Sequence, residues 1–163
     1  MSRALAPKGG NDRVYTPHNL AKTIVEHFNP QGIRLEPCKG TGSFSNLMPG
    51  CLTCEIDDGI DFFNENSKVD WIVTNPPWSQ FRPFLKHSME LADNIVFLSL
   101  VNAFFMKARV RDMREMGFGT VEILMLDTPV KPWPQTGFQL GVTHISKDYN
   151  GDCKFNFDYT SKP

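Results

Sequence analysis

The residues Asn75-Pro76-Pro77-Trp78 set an amide, two prolines and an indole directly after an apolar run containing Val69, Trp71, Ile72 and Val73. Neither proline can donate a ladder hydrogen bond, so a buried strand ending at Thr74 must stop there, and the backbone beyond it is stiff. Open α/β sheets collect ligands at the carboxyl ends of their strands, which is where Asn75 and Trp78 then stand. The side-chain oxygen of Asn75 and the carbonyl of Pro76 are two hydrogen-bond acceptors, and Trp78 offers a π-face. Asn and Pro are also ordinary turn residues, so the tetrapeptide in isolation reads first as a plain turn with Trp78 in the core.

A second constellation lies upstream, in LEPCKGTGSF (35–44). Glu36 and Pro37 end an apolar strand, and Gly40 and Gly42 form a tight turn through which backbone can approach a ligand closely. Glu55 follows Glu36 by 19 residues, at the end of the next strand, where a carboxylate can accept from both hydroxyls of a ribose. Gly-x-Gly turns are common, however, and Glu55 and Asp57 alone read as well as exposed strand-end acids.

The elements that must position these groups alternate. VYTPHNLAKTIVEHFNP (14–30) predicts a turn and then a helix, with Thr16 as cap, Pro17 at the first helical position and Leu20, Ile24, Val25 and Phe28 as its apolar stripe. Strands are expected at Ile33–Pro37, about Leu52–Ile56, Val69–Thr74, Ile95–Val101 and Thr120–Leu126, with a weak strand or irregular edge over Ile60–Phe63. Helices are expected from the Gly-rich turn to Met48, over Phe81–Leu91 and over Asn102–Met116, the last closed by Gly117. After a connection stiffened by three prolines (127–138), Gln139–Tyr149 reads as a strand and Asn150-Gly151 as a hairpin turn into KFNFDYT. Strands alternating with helices and ending in a hairpin predict a mainly parallel sheet with an antiparallel edge.

At 163 residues the chain is expected to be a mobile arm over residues 1–11 and a single domain over 12–163, with no separate target-recognition domain evident. No apolar run approaches the roughly 20 residues that span a bilayer, and no signal-length hydrophobic stretch opens the chain, so a cytoplasmic protein without membrane contact is expected. A net charge of −1 gives no global attraction for nucleic acid, so a polyanion site must be local. Lys107, Arg109, Arg111 and Arg114 are one basic cluster, read first as a solvated helix face. Cys51 and Cys54, three apart on a strand, point to opposite faces and share a metal poorly; His18, His27, His87 and His144 lack paired ligand spacing, so no metal site is expected.

The order YTP (15–17), LEPCKGTGSF, CEID (54–57), DFF (61–63), NPPW (75–78) resembles the S-adenosylmethionine-dependent DNA adenine-N6 methyltransferases, above all the compact phage and prophage type, over residues 13 to about 149. The resemblance implies a Rossmann-like class I methyltransferase fold, α/β, with a mostly parallel seven-stranded sheet, one antiparallel strand and helices on both faces. It implies that Tyr15, Thr16 and Pro17 flank the methionine end of S-adenosylmethionine, and that Glu36, Pro37, Gly40 and Gly42 frame its amino acid and sulfonium. Glu55 would hold the ribose, Ile56 would pack on the adenine ring, Asp61 would accept from the cofactor's amine, and Phe62 would lie beside that ring. Lys39 is an unusual residue inside such a turn.

On that resemblance the catalytic residues are Asn75, Pro76, Pro77 and Trp78, with Asn75 also next to the cofactor, and the partner is double-stranded DNA with a flipped adenine. An adenine amino nitrogen is a poor nucleophile because its lone pair is delocalised. Two acceptors on its hydrogens let it pyramidalise and stabilise the charge that develops. Trp78 stacks the everted base, and Trp133 or Phe138 supplies a second wall. Methylation of an RNA base or a protein glutamine amide, and a non-catalytic remnant that binds cofactor or DNA, are the alternatives.

Overall fold

The computed structural model describes residues 13–159, so the expected arm over residues 1–11 lies outside the described residues. Seven strands, β1 (Arg34–Glu36), β2 (Leu52–Thr53), β3 (Val69–Thr74), β4 (Ala92–Leu100), β5 (Phe118–Leu126), β6 (Leu140–Lys147) and β7 (Lys154–Asp158), form one sheet. Their order is β2-β1-β3-β4-β6-β5-β7. The β1–β2, β1–β3, β3–β4 and β5–β7 pairings are parallel, and β6 runs antiparallel to both of its neighbours, β4 and β5. This is the doubly wound, largely parallel architecture with one reversed strand that the sequence predicts.

Side-chain alternation along the central strands feeds two core layers. Ile72, Ile95 and Phe97 face helix α2 (Phe81–Leu91), whose buried face is Phe81, Phe84, Leu85, Met89 and Leu91. Val73, Val96 and Leu98 face α1 (His18–Phe28) through Ala21 and Ile24. Cys54 belongs to the first layer and Cys51 packs against the second, on opposite sides of the sheet. No helix among the described residues is long and apolar enough to cross a membrane.

Four sequence expectations need correction. Thr16 does not cap α1: Pro17 is the capping residue, no side chain bonds the helix start, and Thr16 is tied elsewhere. The helix to Met48 is a single 3₁₀ turn, Ser45–Leu47, whereas Ile60–Phe63 is an irregular edge, one of its two expected forms, with an isolated bridge from Glu55 to Ile60 and a 3₁₀ turn at Phe62–Asn64. The helix expected over Asn102–Met116 is two, α3 (Val101–Phe104) and α4 (Lys107–Glu115), broken at Phe105-Met106. The break lets Phe104 bury its ring against Phe81 and Phe97, while Arg109 lies over Phe81 and donates to the Ala103 carbonyl.

The fourth correction is the hairpin. β6 already pairs on both edges, with β4 and with β5, so β7 cannot join it; the chain instead crosses the start of β5 and runs parallel to β5 on the far side. Gly119 makes the crossing possible, because a Cβ there would lie 2.0 Å from the Tyr149 carbonyl oxygen. Gly119→Ala should therefore destabilise the fold by about 2–3 kcal/mol and lower Tm by roughly 5–10 °C in thermal unfolding.

Candidate active site

Asn75 follows β3 at the carboxyl edge of the sheet, with Pro76 buried behind it. Its Nδ2 donates to the Val14 carbonyl at 3.2 Å and to the Thr16 hydroxyl at 3.3 Å. A carbonyl can only accept, so the atom facing Val14 must be the nitrogen, and the orientation of the amide is fixed. Asn75 Oδ1 is buried and bonds to nothing among the described residues, and the same holds for the indole nitrogens of Trp78 and Trp133. A buried acceptor without a partner is costly in a folded chain and marks a place where an external donor is welcome. Trp78 follows Asn75 by three residues, and Trp133 packs edge-on against it at 6.3 Å and 72°.

The Gly-rich turn closes on the same strap. Ser43 Oγ donates to the Thr16 carbonyl at 2.6 Å, and the Tyr15 ring lies where a Cβ on Gly40 would meet it at 3.1 Å. Gly40 has φ +52, so both its backbone and its contact with Tyr15 exclude a larger residue. The Gly40 N–H donates to Glu55 Oε2 at 2.7 Å, and the Asp57 N–H donates to Glu55 Oε1 at 3.2 Å. Each carboxylate oxygen keeps a second lone pair. Ile56, 65% exposed, follows Glu55 and opens the 3₁₀ turn Ile56–Asp58 beyond β2.

Glu36 is fully buried between the turn and β3. Its Oε1 accepts from the Cys38 N–H at 3.0 Å and from the Thr74 hydroxyl, while Oε2 has no partner among the described residues. Burial pushes its carboxyl from the usual 4.5 up to about 8, against the Thr74 and Cys38 hydrogen bonds that pull it down. Burial also pushes up the Cys38 thiol, and the Cys54 thiol to about 11, so neither supplies a thiolate at neutral pH. Among the described residues no group of three or more His, Cys, Asp or Glu side chains converges as a metal site.

Tyr15, Thr16, Gly40, Glu36, Glu55 and Asn75 are thus tied together, with Pro17, Pro37 and Gly42 in the adjoining backbone. Asp61 stands apart from this network: its Oδ1 accepts from the Phe63 N–H in a local turn. Phe62 is buried in the α2 layer, stacked on Phe84 at 5.0 Å. Trp133 is buried as a buttress to Trp78, whereas Phe138 is exposed and lines a cavity of about 490 Å³ with Leu126, Thr136, Gln139 and Tyr159, which shares no residue with the Asn75 network. The Lys39 ammonium lies 3.3 Å from Asp58. Sequence reasoning missed Val14 and Ser43: both act on partners far along the chain, and only a hydroxyl placed directly after Gly42 hinted at the second.

No protein-family model matches the sequence, and no curated protein matches it. Solved structures do. A Listeria monocytogenes protein, provisionally described as a class I S-adenosylmethionine-dependent methyltransferase, superposes with TM-score 0.67 at 10% identity, over 94% of this chain and 68% of its own. A Pyrococcus horikoshii protein, provisionally described as an RNA methyltransferase, gives 0.61 at 21% identity, covering 81% and 85%. The M protein of the type I restriction enzyme EcoKI gives 0.62 at 15% identity, over 84% of this chain but only 44% of the M protein. At these identities the likeness establishes the fold: the chain has the class I methyltransferase architecture.

Because the folded-state value of Glu36 lies above the unfolded one, the folded chain holds more protons between pH 4.5 and about 8. The stability this contributes is full below the lower value and is lost as pH rises through the upper one. Glu36→Gln cannot ionise. Its Tm relative to the parent chain should climb by roughly 5–10 °C between acid and alkaline ends of a pH series of thermal unfolding curves.

Proposed function

We propose that this chain transfers a methyl group from S-adenosylmethionine to the exocyclic N6 amine of adenine in DNA. The observation that carries the reading is the Asn75 amide: its nitrogen is anchored on Val14 and Thr16, and its oxygen is buried and unpartnered, three residues before Trp78. An amine presenting two hydrogens satisfies that oxygen and the Pro76 carbonyl together. Both acceptors draw the hydrogens out of the ring plane and stabilise positive charge on nitrogen, so no strong base is needed. The rigid Pro76-Pro77 backbone holds the amine in place.

The residues around the strap fit the methyl donor, which supplies an electrophilic methyl group on a sulfonium. Glu55 has lone pairs left for ribose hydroxyls, and exposed Ile56 offers an apolar face for the adenine ring. Glu36 Oε2, buried and unpaired, suits the ammonium of the donor's amino acid, whose charge would favour the ionised carboxylate. Tyr15, Thr16, Pro17, Pro37, Gly40 and Gly42 shape the methionine end, and Asp61 keeps an oxygen for the donor's amine. Phe62 supports Asp61 from the core. Lys39, paired with Asp58, is neutralised.

On this reading Trp78 stacks the everted base, Trp133 steadies it, and Phe138 lines the approach. DNA meets the rim formed by residues 78–82 and 128–138, extended by exposed Phe105 and Met106, which adjoin Phe81 through Phe104. Lys107 and Arg109 flank that rim and form no ion pair among the described residues, while Arg82 is held bidentate by Asp112 at 2.6 and 2.9 Å. The fold likeness to a restriction-enzyme M protein is in keeping with a DNA substrate.

Methyl incorporation from labelled S-adenosylmethionine into DNA, RNA and protein, followed by nucleoside mass spectrometry, tests the proposal: label is expected in DNA as N6-methyladenine. Label in RNA or glutamine alone would reassign the substrate, and no cofactor binding at all would remove the reading. Asn75→Ala should lower kcat by about 10²–10³-fold while labelled cofactor still binds. Ser43→Ala, which frees the Thr16 carbonyl from the turn, should instead weaken cofactor binding roughly three- to tenfold in equilibrium titration.

A further inference from the structure

β7 is the outermost strand of the sheet, and among the described residues only its edge toward β5 is paired. Its register sets Phe155 beside Ile123 and Phe157 beside Met125. Alternation then puts Phe155, Phe157 and Tyr159 on one face and Lys154, Asn156 and Asp158 on the other. The aromatic side chains are 57%, 60% and 50% exposed, and the Phe157 and Tyr159 rings touch with centroids 5.7 Å apart. An edge strand with unpaired backbone groups and a solvent-facing aromatic row is a template for another strand.

The strand's own sequence identifies the partner. Lys154-Phe155-Asn156-Phe157-Asp158 is self-complementary when read antiparallel: turned about Asn156, Lys154 meets Asp158, Phe155 meets Phe157, and Asn156 meets itself. Opposite charges and aromatic pairs directly across an antiparallel ladder both favour pairing, and a two-fold axis requires this kind of self-match. We propose that β7 pairs antiparallel with β7 of a second copy of this chain, joining the two sheets end to end about Asn156.

The six half-exposed aromatic rings of such a pair cover on the order of 600 Å², about half of the smallest stable interfaces, so a weak dimer that dissociates on dilution is expected. β7 lies four positions from β3 in the sheet, so the Asn75 network stays open in both copies. The inference does not rest on the methyl-transfer reading and survives if that reading fails.

Sedimentation velocity of the full chain over a concentration series tests it, with a monomer–dimer equilibrium expected. Asp158→Lys sets like charges across both ends of the ladder and should raise the dimer dissociation constant about tenfold or more. Adding Lys154→Asp restores opposite charges in reversed order and should restore dimerisation. Asn156→Cys should form a disulfide-linked dimer on oxidation. A chain that stays monomeric at all concentrations overturns the proposal. So does a dimer that ignores Asp158→Lys, or one that the double variant fails to rescue; those outcomes mean that another surface pairs the copies, or that a different chain covers the stripe.

Discussion

Asn75 Nδ2 donates to the Val14 carbonyl and the Thr16 hydroxyl, and both acceptors lie on the strap that leads into α1. That pair of bonds decides the chemistry at the carboxyl edge of the sheet. A side-chain amide has one donor end and one acceptor end; with the donor end occupied by the Val14 carbonyl and the Thr16 hydroxyl, the acceptor end must face the other way, and here it is buried without a partner among the described residues. The strap itself is steadied by Ser43, so the Gly-rich turn and the amide are set relative to one another through Thr16. Preorganisation of this kind is what a reaction driven by hydrogen-bond acceptors requires, since acceptors that must reorient as charge develops lose much of their effect.

The sheet supplies the frame. β1, β2 and β3 run parallel and bring Glu36, Glu55 and Asn75 to the same edge: Glu36 is the last paired residue of β1, and Glu55 and Asn75 follow shortly after β2 and β3 end. Glu36 has the costly position: a buried carboxyl with one unpaired oxygen and a proton affinity raised to about 8 destabilises the isolated domain at neutral pH and above. Such groups persist where a ligand repairs the deficit. Glu55 is the opposite case, with both oxygens held by backbone N–H groups that fix its direction while leaving lone pairs outward.

Much of this was legible in the sequence, because the strongest signals there are local. The prolines after Thr74 end β3 where expected, and the apolar spacing of Phe84, Leu85, Met89 and Leu91 marks α2 to the residue. What was not legible depends on which edges are free and on which partners lie far along the chain. Asn150-Gly151 has the composition of a hairpin turn, yet β6 has no open edge, and Gly119, an unremarked residue in a strand, carries the crossing instead. Thr16 has the composition of a helix cap, yet its hydroxyl serves Asn75. The break at Phe105-Met106 carries no proline or glycine; it follows from Phe104 entering a core whose shape is set by Phe81 and Phe97.

The amide's division of labour can be seen directly in a crystal structure of the chain with S-adenosylhomocysteine and an adenine-containing DNA duplex. The expected result is an everted adenine stacked on Trp78, its exocyclic nitrogen within hydrogen-bond distance of Asn75 Oδ1 and the Pro76 carbonyl, with Asn75 Nδ2 still on Val14. A base bound away from Asn75, or an amide turned so that its oxygen points toward the strap, would contradict the account.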